Sequence, residues 1–289
     1  MSRHRPDVAQ LLRWYLRRVG GGDWPFLSAE RRYLASRIQP GSAVADIGGG
    51  DGKLANYLAP KARRVFIVDR ETTSLPGADS GQYAGSLTRA LNERVSGNVL
   101  PVRGDAVSLP FAPESLDAVV SSQLLEHIAD SGKTQFFVEC ARVLKPNGVL
   151  AVSTPNADYF ARHRFWVAVL ARKIVPSAWV VRLPRSMRGV WLEQDIESWE
   201  RSVGHYDHGC RLARLRAASR AAGFEELDSR CLHTRLTSFW FQLLCTFPLL
   251  FLAALPLVRL LYFLETHVPP LDGINLLVTF RKRNVGEAS

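Results

Sequence analysis

The stretch Val44-Ala45-Asp46-Ile47-Gly48-Gly49-Gly50-Asp51-Gly52, taken with Val65-Phe66-Ile67-Val68-Asp69, decides the fold. An apolar run enters a glycine turn, and a second apolar run ends on an acidic residue. That is the pattern of a first strand-to-helix crossover followed by the second strand of a parallel sheet. Glycines at such a crossover let the backbone approach a ligand closely, and the start of the next helix presents N–H groups that have no partner inside the helix. A carboxylate at the tip of the second strand can accept hydrogen bonds from both hydroxyls of a ribose. The pattern therefore places an adenosine-bearing ligand at this crossover. A dinucleotide fingerprint needs a small residue at its third glycine position, and this chain has Lys53 there, which disfavours that reading.

Asp46-x-Gly48-x-Gly50-x-Gly52 resembles the first motif of class I S-adenosylmethionine-dependent methyltransferases, in which the turn holds the methionine part of the cofactor. Further phrases follow in that family's order. Helices are expected over residues 28–38 and 53–58, and a third strand over 98–103 that ends at Gly104-Asp105-Ala106. Leu116-Asp117-Ala118-Val119-Val120-Ser121-Ser122 reads as a fourth strand buried on both faces. A helix over 134–144 leads through Lys145-Pro146-Asn147-Gly148 to a fifth strand over 149–153, and residues 224–232 and 274–280 look like strands six and seven. The resemblance implies an α/β fold, a Rossmann-like doubly wound seven-stranded sheet with the last strand antiparallel, and S-adenosyl-L-methionine as cofactor. It assigns Asp46, Gly48, Gly49, Gly50 and Asp69 to the cofactor cradle, Asp105 to the adenine amino group, Ala106 to the face of the ring and Gln123 to the cofactor side of the turn after strand four. Gly49 departs from the family, which often has cysteine, serine or threonine at that place.

At 289 residues the chain is long enough for one catalytic domain with additions. The reading gives a basic amphipathic helix at 1–26, a cofactor-binding core at 27–158, a helical substrate lid at 159–204 and the rest of the core at 205–289, interrupted by an apolar helical insertion at 238–264 between strands six and seven. Cys140, Cys210, Cys231 and Cys245 are scattered without a C-x-x-C pair, which argues against a metal knuckle or disulfide framework and for a reducing compartment. Residues 1–22 carry arginines without the central apolar run of a secretory signal. The expected location is cytoplasmic, peripheral or monotopic at the inner face of the membrane.

A net charge of +10 admits two partners, nucleic acid and an anionic membrane surface. Enzymes of the resembled family that methylate base amines usually carry an Asn/Asp-Pro-Pro-aromatic turn after strand four, where this chain has Ser121-Ser122-Gln123-Leu124; no RNA-binding module is recognisable either. Nucleic acid is therefore not expected. Residues 239–258 carry no charge, lie between Arg235 and Arg259, and reach the length of about 20 apolar residues that a bilayer crossing takes. Strands six and seven on either side must share one sheet, which excludes a single crossing. Pro248 and Pro256 interrupt helical hydrogen bonding and favour short broken helices that lie in or re-enter the interface, with Trp240, Tyr262 and the flanking arginines at headgroup level. A flap packed on the substrate cleft or on a second copy is the alternative. Near the start, Leu11, Leu12, Tyr15 and Val19 recur at helical spacing opposite Arg13, Arg17 and Arg18. In the lid, Phe160, Trp166 and Trp179 mix with Arg162, Arg172 and Arg182, which suits either a substrate phosphate or a solvated charged face.

Methyl transfer from a sulfonium is an in-line displacement, so the protein aligns nucleophile and methyl group and adds a base where a hydroxyl must lose its proton. Gln123-Leu124-Leu125-Glu126-His127 resembles the Glu-x-x-Glu-His element of ubiquinone-pathway O-methyltransferases, whose carboxylates and histidine can hold a divalent cation. Gln123 replaces the first glutamate and weakens a hard-cation site, so no metal is expected; Glu126 and His127 are the residues that would ligate one. His127 is the candidate general base, with a structural role as the alternative. Gly204-His205-Tyr206-Asp207-His208 stands where many relatives have a Gly-His turn facing the substrate. There His205 orients or deprotonates the acceptor with Asp207 as its partner, or Asp207 caps the next helix. The expected reaction is O-methylation of a hydrophobic, lipid-linked or quinone-like small molecule at the membrane surface. Carbon methylation of a prenylated ring, RNA methylation and a cofactor-binding scaffold without transfer activity are the alternatives.

Overall fold

The computed structural model describes residues 25–50, 52–70, 97–162, 209–234, 237, 248–268 and 272–284. In chain order they form α1 (Pro25–Ser36), β1 (Ala43–Ile47), α2 (Ala55–Leu58), β2 (Arg64–Asp69), β3 (Val99–Arg103) and β4 (Leu116–Ser122). A 3-10 turn (Leu125–His127) leads to α3 (Asp130–Val143), β5 (Leu144–Pro155), α4 (Ala157–Arg162), α5 (Leu212–Ala221), β6 (Phe224–Leu232), α6 (Pro248–His267) and β7 (Asn275–Lys282).

Seven strands make one sheet in the order β3-β2-β1-β4-β5-β7-β6. β1 runs parallel to β2 and to β4, and β7 runs antiparallel to both β5 and β6. The sheet is therefore the expected doubly wound one, with its last strand reversed. All five residues of β1 are buried, as a strand covered on both faces requires. One apolar cluster joins α1, α2 and α6 to one sheet face through Leu34, Val44, Leu58, Ile67, Val258 and Tyr262. A second covers the opposite face with α3 and α5, where Phe137 meets Phe280 edge-on at 5.9 Å between ring centres. The Lys145–Gly148 turn lies inside the range of β5, with Asn147 at φ 62, and ordered pairing with β4 resumes at Val149.

Among the described residues between β6 and β7, α6 runs unbroken through Pro256, where the sequence reading expects an interruption, and continues past residue 264; residues 238–247 of the expected insertion lie outside the described residues. Pro248 opens the helix, where a missing N–H costs no intrahelical bond. Pro256 removes one internal bond, and the burial of Leu255, Val258 and Tyr262 on the α1 side holds the helix through it. No helix among the described residues is long and apolar enough to cross a membrane. The outer side of α6 is nonetheless apolar: Leu257, Leu260, Phe263 and Leu264 are all about half exposed or more. Arg32 on α1 feels the charge of Arg259 on α6, so two arginines stand beside this stripe.

The chain beyond the lid returns to the strand it left. Cys210 N–H donates to the Pro155 carbonyl (2.9 Å), Ala157 N–H donates to the Cys210 carbonyl (3.2 Å), and Asn156 forms a bridge with Cys210. Gly209, at φ 99, has no room for a side chain: a Cβ there would sit 2.1 Å from the Pro155 oxygen. The expected lid at 159–204, the helix at 1–26, and His205 and Asp207 lie outside the described residues, apart from residues 159–162 in α4 and residues 25–26, which open α1.

Candidate functional site

At the carboxyl end of β1 the chain turns through Gly48 (φ 72), Gly50 (φ 49) and Gly52 (φ 73), conformations that a Cβ would strain. Gly48 and Gly49 N–H both donate to the Val68 carbonyl, which ties the turn to β2. A Cβ on Gly49 would meet Asp46 Oδ2 and Ile67 Cγ2 at 2.8 Å, so the small residue that departs from the family pattern is dictated by the buried Asp46 carboxylate beneath it. Over Gly50 the nearest neighbour of a Cβ would be Asp69 Oδ2, at 4.0 Å, and Gly50 N–H donates to that same oxygen at 3.0 Å. The turn is therefore roomy where a ligand must approach and is walled by a carboxylate. A carboxylate has about four acceptor positions, enough for a backbone donor and for ribose hydroxyls as well. These residues fit an adenosyl cofactor.

Asp105 follows β3 on the same edge, and its Oδ1 accepts the Val107 N–H (3.1 Å). Its Oδ2 accepts Arg70 Nη2 at 2.7 Å, and Arg70 is largely exposed. Partial burial works against ionisation, but Arg70 and the Val107 N–H outweigh it and hold the carboxyl below its usual range. Ala106 packs on the apolar cluster beside Val102. The Asp105 carboxylate, which the resemblance assigns to the adenine amino group, is thus already engaged by Arg70, a neighbour that sequence reasoning did not single out.

Next to the cradle stands the turn after β4. Gln123 has φ 53, and Leu124 bears on Gly48, with its Cδ1 2.8 Å from where a Gly48 Cβ would stand. Gln123 does not reach toward the cradle: its Nε2 donates to Glu30 Oε2 at 3.0 Å. Glu30, from the middle of α1, is fully buried and also accepts Ser122 Oγ (2.6 Å), Ser153 Oγ (2.6 Å) and Asn275 Nδ2 (3.2 Å). Burial raises its pKa and those four donors oppose the rise.

Glu126 is buried in the same region and accepts Thr154 Oγ1 at 3.2 Å. Burial pushes its pKa up to about 8, against the pull of its own N–H and of Thr154, while the Glu30 charge adds to the rise and Lys133 opposes it. Four side-chain donors face Glu30 and one faces Glu126. His127 follows, half-buried on the 3-10 turn, with its N–H bonded to the Leu124 carbonyl (2.8 Å).

The structure thus gathers Asp46, Gly48, Gly49, Gly50, Asp69, Asp105, Ala106, Gln123, Glu126 and His127 at the carboxyl edge of the sheet. Among the described residues no three or more His, Cys, Asp or Glu are grouped to hold a metal ion. Glu30 was missed, although its position carried a signal: it shares a helical face with Ala29, Tyr33 and Leu34, and a charge on an apolar face is buried only with partners.

A glycine crossover, an acidic tip on β2 and a seventh strand set antiparallel define a Rossmann-like domain for an adenosyl cofactor. Residues 45–152 match the methyltransferase-domain family. A probable S-adenosylmethionine-dependent methyltransferase of Mycolicibacterium smegmatis is 36% identical over 125 residues, covering 43% of this chain and 42% of that protein. A ubiquinone biosynthesis O-methyltransferase of Bradyrhizobium diazoefficiens is 28% identical over 174 residues, covering 60% of this chain and 57% of that protein. The chain spans about half the length of these curated relatives. An S-adenosylmethionine-dependent methyltransferase from Mesorhizobium loti shares the fold, with a TM-score of 0.53 at 19% identity over 88% of this chain and 98% of that one. The core of this chain is thus similar to an S-adenosylmethionine-dependent methyltransferase domain over residues 45–152, and S-adenosylmethionine is the cofactor that its cradle fits.

Proposed function

We propose that the protein transfers the methyl group of S-adenosylmethionine to an oxygen of a hydrophobic, lipid-linked or quinone-like acceptor at the cytoplasmic face of a membrane, as a peripheral or monotopic enzyme. The observation that carries the transfer is the contact of Leu124 with Gly48, which sets the Glu126–His127 turn directly beside the glycine cradle. The hydrophobic acceptor is supported by the apolar outer side of α6 and by the likeness to a ubiquinone biosynthesis O-methyltransferase.

The bound cofactor supplies an electrophilic methyl group on a sulfonium. Asp69 and the glycine turn hold it by its ribose and methionine parts. His127 would take the proton of the acceptor's hydroxyl as that oxygen is methylated. His205, with Asp207 as its partner, is assigned to orienting the acceptor on the sequence alone, since both lie outside the described residues. The test is transfer of labelled methyl from S-adenosylmethionine into a total lipid extract of the source cells, with Asp69→Ala as control. Label in an organic-soluble product that the variant does not form is the expected result, and chemical analysis of that product separates oxygen from carbon methylation. Cofactor binding without a labelled lipid overturns the lipid assignment.

A further inference from the structure

On the reading of this sheet edge as a methyl-transfer centre, we propose that Glu30 is a positioning residue for the reaction: its buried carboxylate holds the turn after β4 in the shape that closes the cofactor cradle.

The four donors on Glu30 come from three strands. Ser122 ends β4 and Gln123 follows it, Ser153 lies near the end of β5, and Asn275 begins β7. The carboxylate therefore fastens three strand ends at one point on the carboxyl edge. Gln123 is held in the left-handed region, where a residue with a Cβ is strained, and its amide bond to Glu30 offsets that strain. The next residue, Leu124, is the one that bears on Gly48, and Glu126 and His127 follow at once. Glu30 thus acts on the cradle through Gln123 and Leu124, and on the reacting side through the turn they begin.

Docking of α1 does not call for this charge. Tyr33 donates to Asp228 Oδ2 on β6 at 2.8 Å, Arg37 pairs with the same carboxylate at 3.0 Å, and Leu34 and Ile38 enter the apolar cluster. A buried carboxylate is a costly way to seat a helix that an apolar side chain would seat as well. Its place is explained by what it holds.

The experiment measures S-adenosylhomocysteine binding by calorimetry and thermal unfolding on the full chain, for wild type, Glu30→Gln, Gln123→Ala and Tyr33→Phe. Glu30→Gln keeps the shape and replaces one of the two oxygens that the four donors share with an amide nitrogen, which cannot accept them. It is expected to weaken binding at least tenfold, and Gln123→Ala should weaken it in the same direction. Tyr33→Phe loosens α1 from β6 without touching the cluster and should lower the melting temperature while leaving affinity within about twofold. A Glu30→Gln protein that binds like wild type overturns the proposal. So does a Tyr33→Phe protein whose affinity falls as far as that of Glu30→Gln, since helix docking alone would then explain the effect. Should Glu30→Gln not fold, wild-type affinity in Gln123→Ala overturns it equally. Wild type that binds no S-adenosylhomocysteine overturns the methyltransferase reading itself, a result separate from any of these.

Discussion

Glu126 holds a proton that the unfolded chain gives up, and that difference is measurable. Its pKa rises from an ordinary 4.5 to about 8 in the fold, chiefly by burial. Between those values the native state binds more protons than the unfolded state, so this residue's contribution to stability falls as pH rises through the window and is level above it. Glu30 is raised too and pulls the same way, while Lys133 opposes. Glu126→Gln removes one titration and keeps the side chain's volume. In urea unfolding, the variant should gain on wild type by about 3 kcal/mol between pH 5 and pH 8.5, and parallel curves would show that Glu126 is not buried as described. Gly49 teaches the converse lesson at the same scale. In the sequence it looks like a departure from the family, but in the structure it is the residue that lets the Asp46 carboxylate lie beneath the turn.

Among the elements, α6 depends on polar contacts that its apolar sequence does not announce. Glu265 accepts the N–H groups of His233 (2.8 Å) and Thr234 (3.1 Å) and the hydroxyl of Thr237 (2.8 Å). Tyr262 hydrogen-bonds His233 Nδ1, and burial holds that imidazole neutral, with its pKa down to about 3. Arg230 donates to the Thr266 carbonyl at 2.7 Å and so satisfies the helix end. Glu265→Ala leaves buried donors unmet and should cost about 2–4 kcal/mol, whereas Leu264→Ala, on the exposed side, should stay within about 0.5 kcal/mol. Chemical denaturation of both variants checks the contrast.

The same contrast explains what could be read beforehand. β4 was legible to the residue, since the apolar run Ala118–Val120 and the flanking turns mark it locally, whereas β6, a largely polar strand, was placed to the residue by its position in the resembled fold. The continuous α6 was not, because proline is weighed locally while the packing that overrides it comes from α1. Nor was the role of Glu30, whose partners lie 92 to 245 positions away. The glycine cradle and Asp69 sit on one crossover and are legible for that reason.

The whole molecule has an apolar core on each face of its sheet and an apolar stripe left on the outside of α6, with Arg32 and Arg259 beside it. Such a surface suits an anionic bilayer. Vesicles of phosphatidylserine and phosphatidylcholine should retain wild type at least tenfold better than a Leu257→Glu, Leu260→Glu double variant of unchanged melting temperature, and less well at high salt. Equal retention would remove the membrane from the proposal. The meeting of Pro155 and Asn156 with Cys210 has a different consequence. The chain leaves the core after α4 and re-enters it at Gly209 on adjoining backbone, so the core's hydrogen bonds close at this point by themselves and the length of chain between the two ends costs little. Insertions or deletions between those ends are changes that the folded chassis need not register.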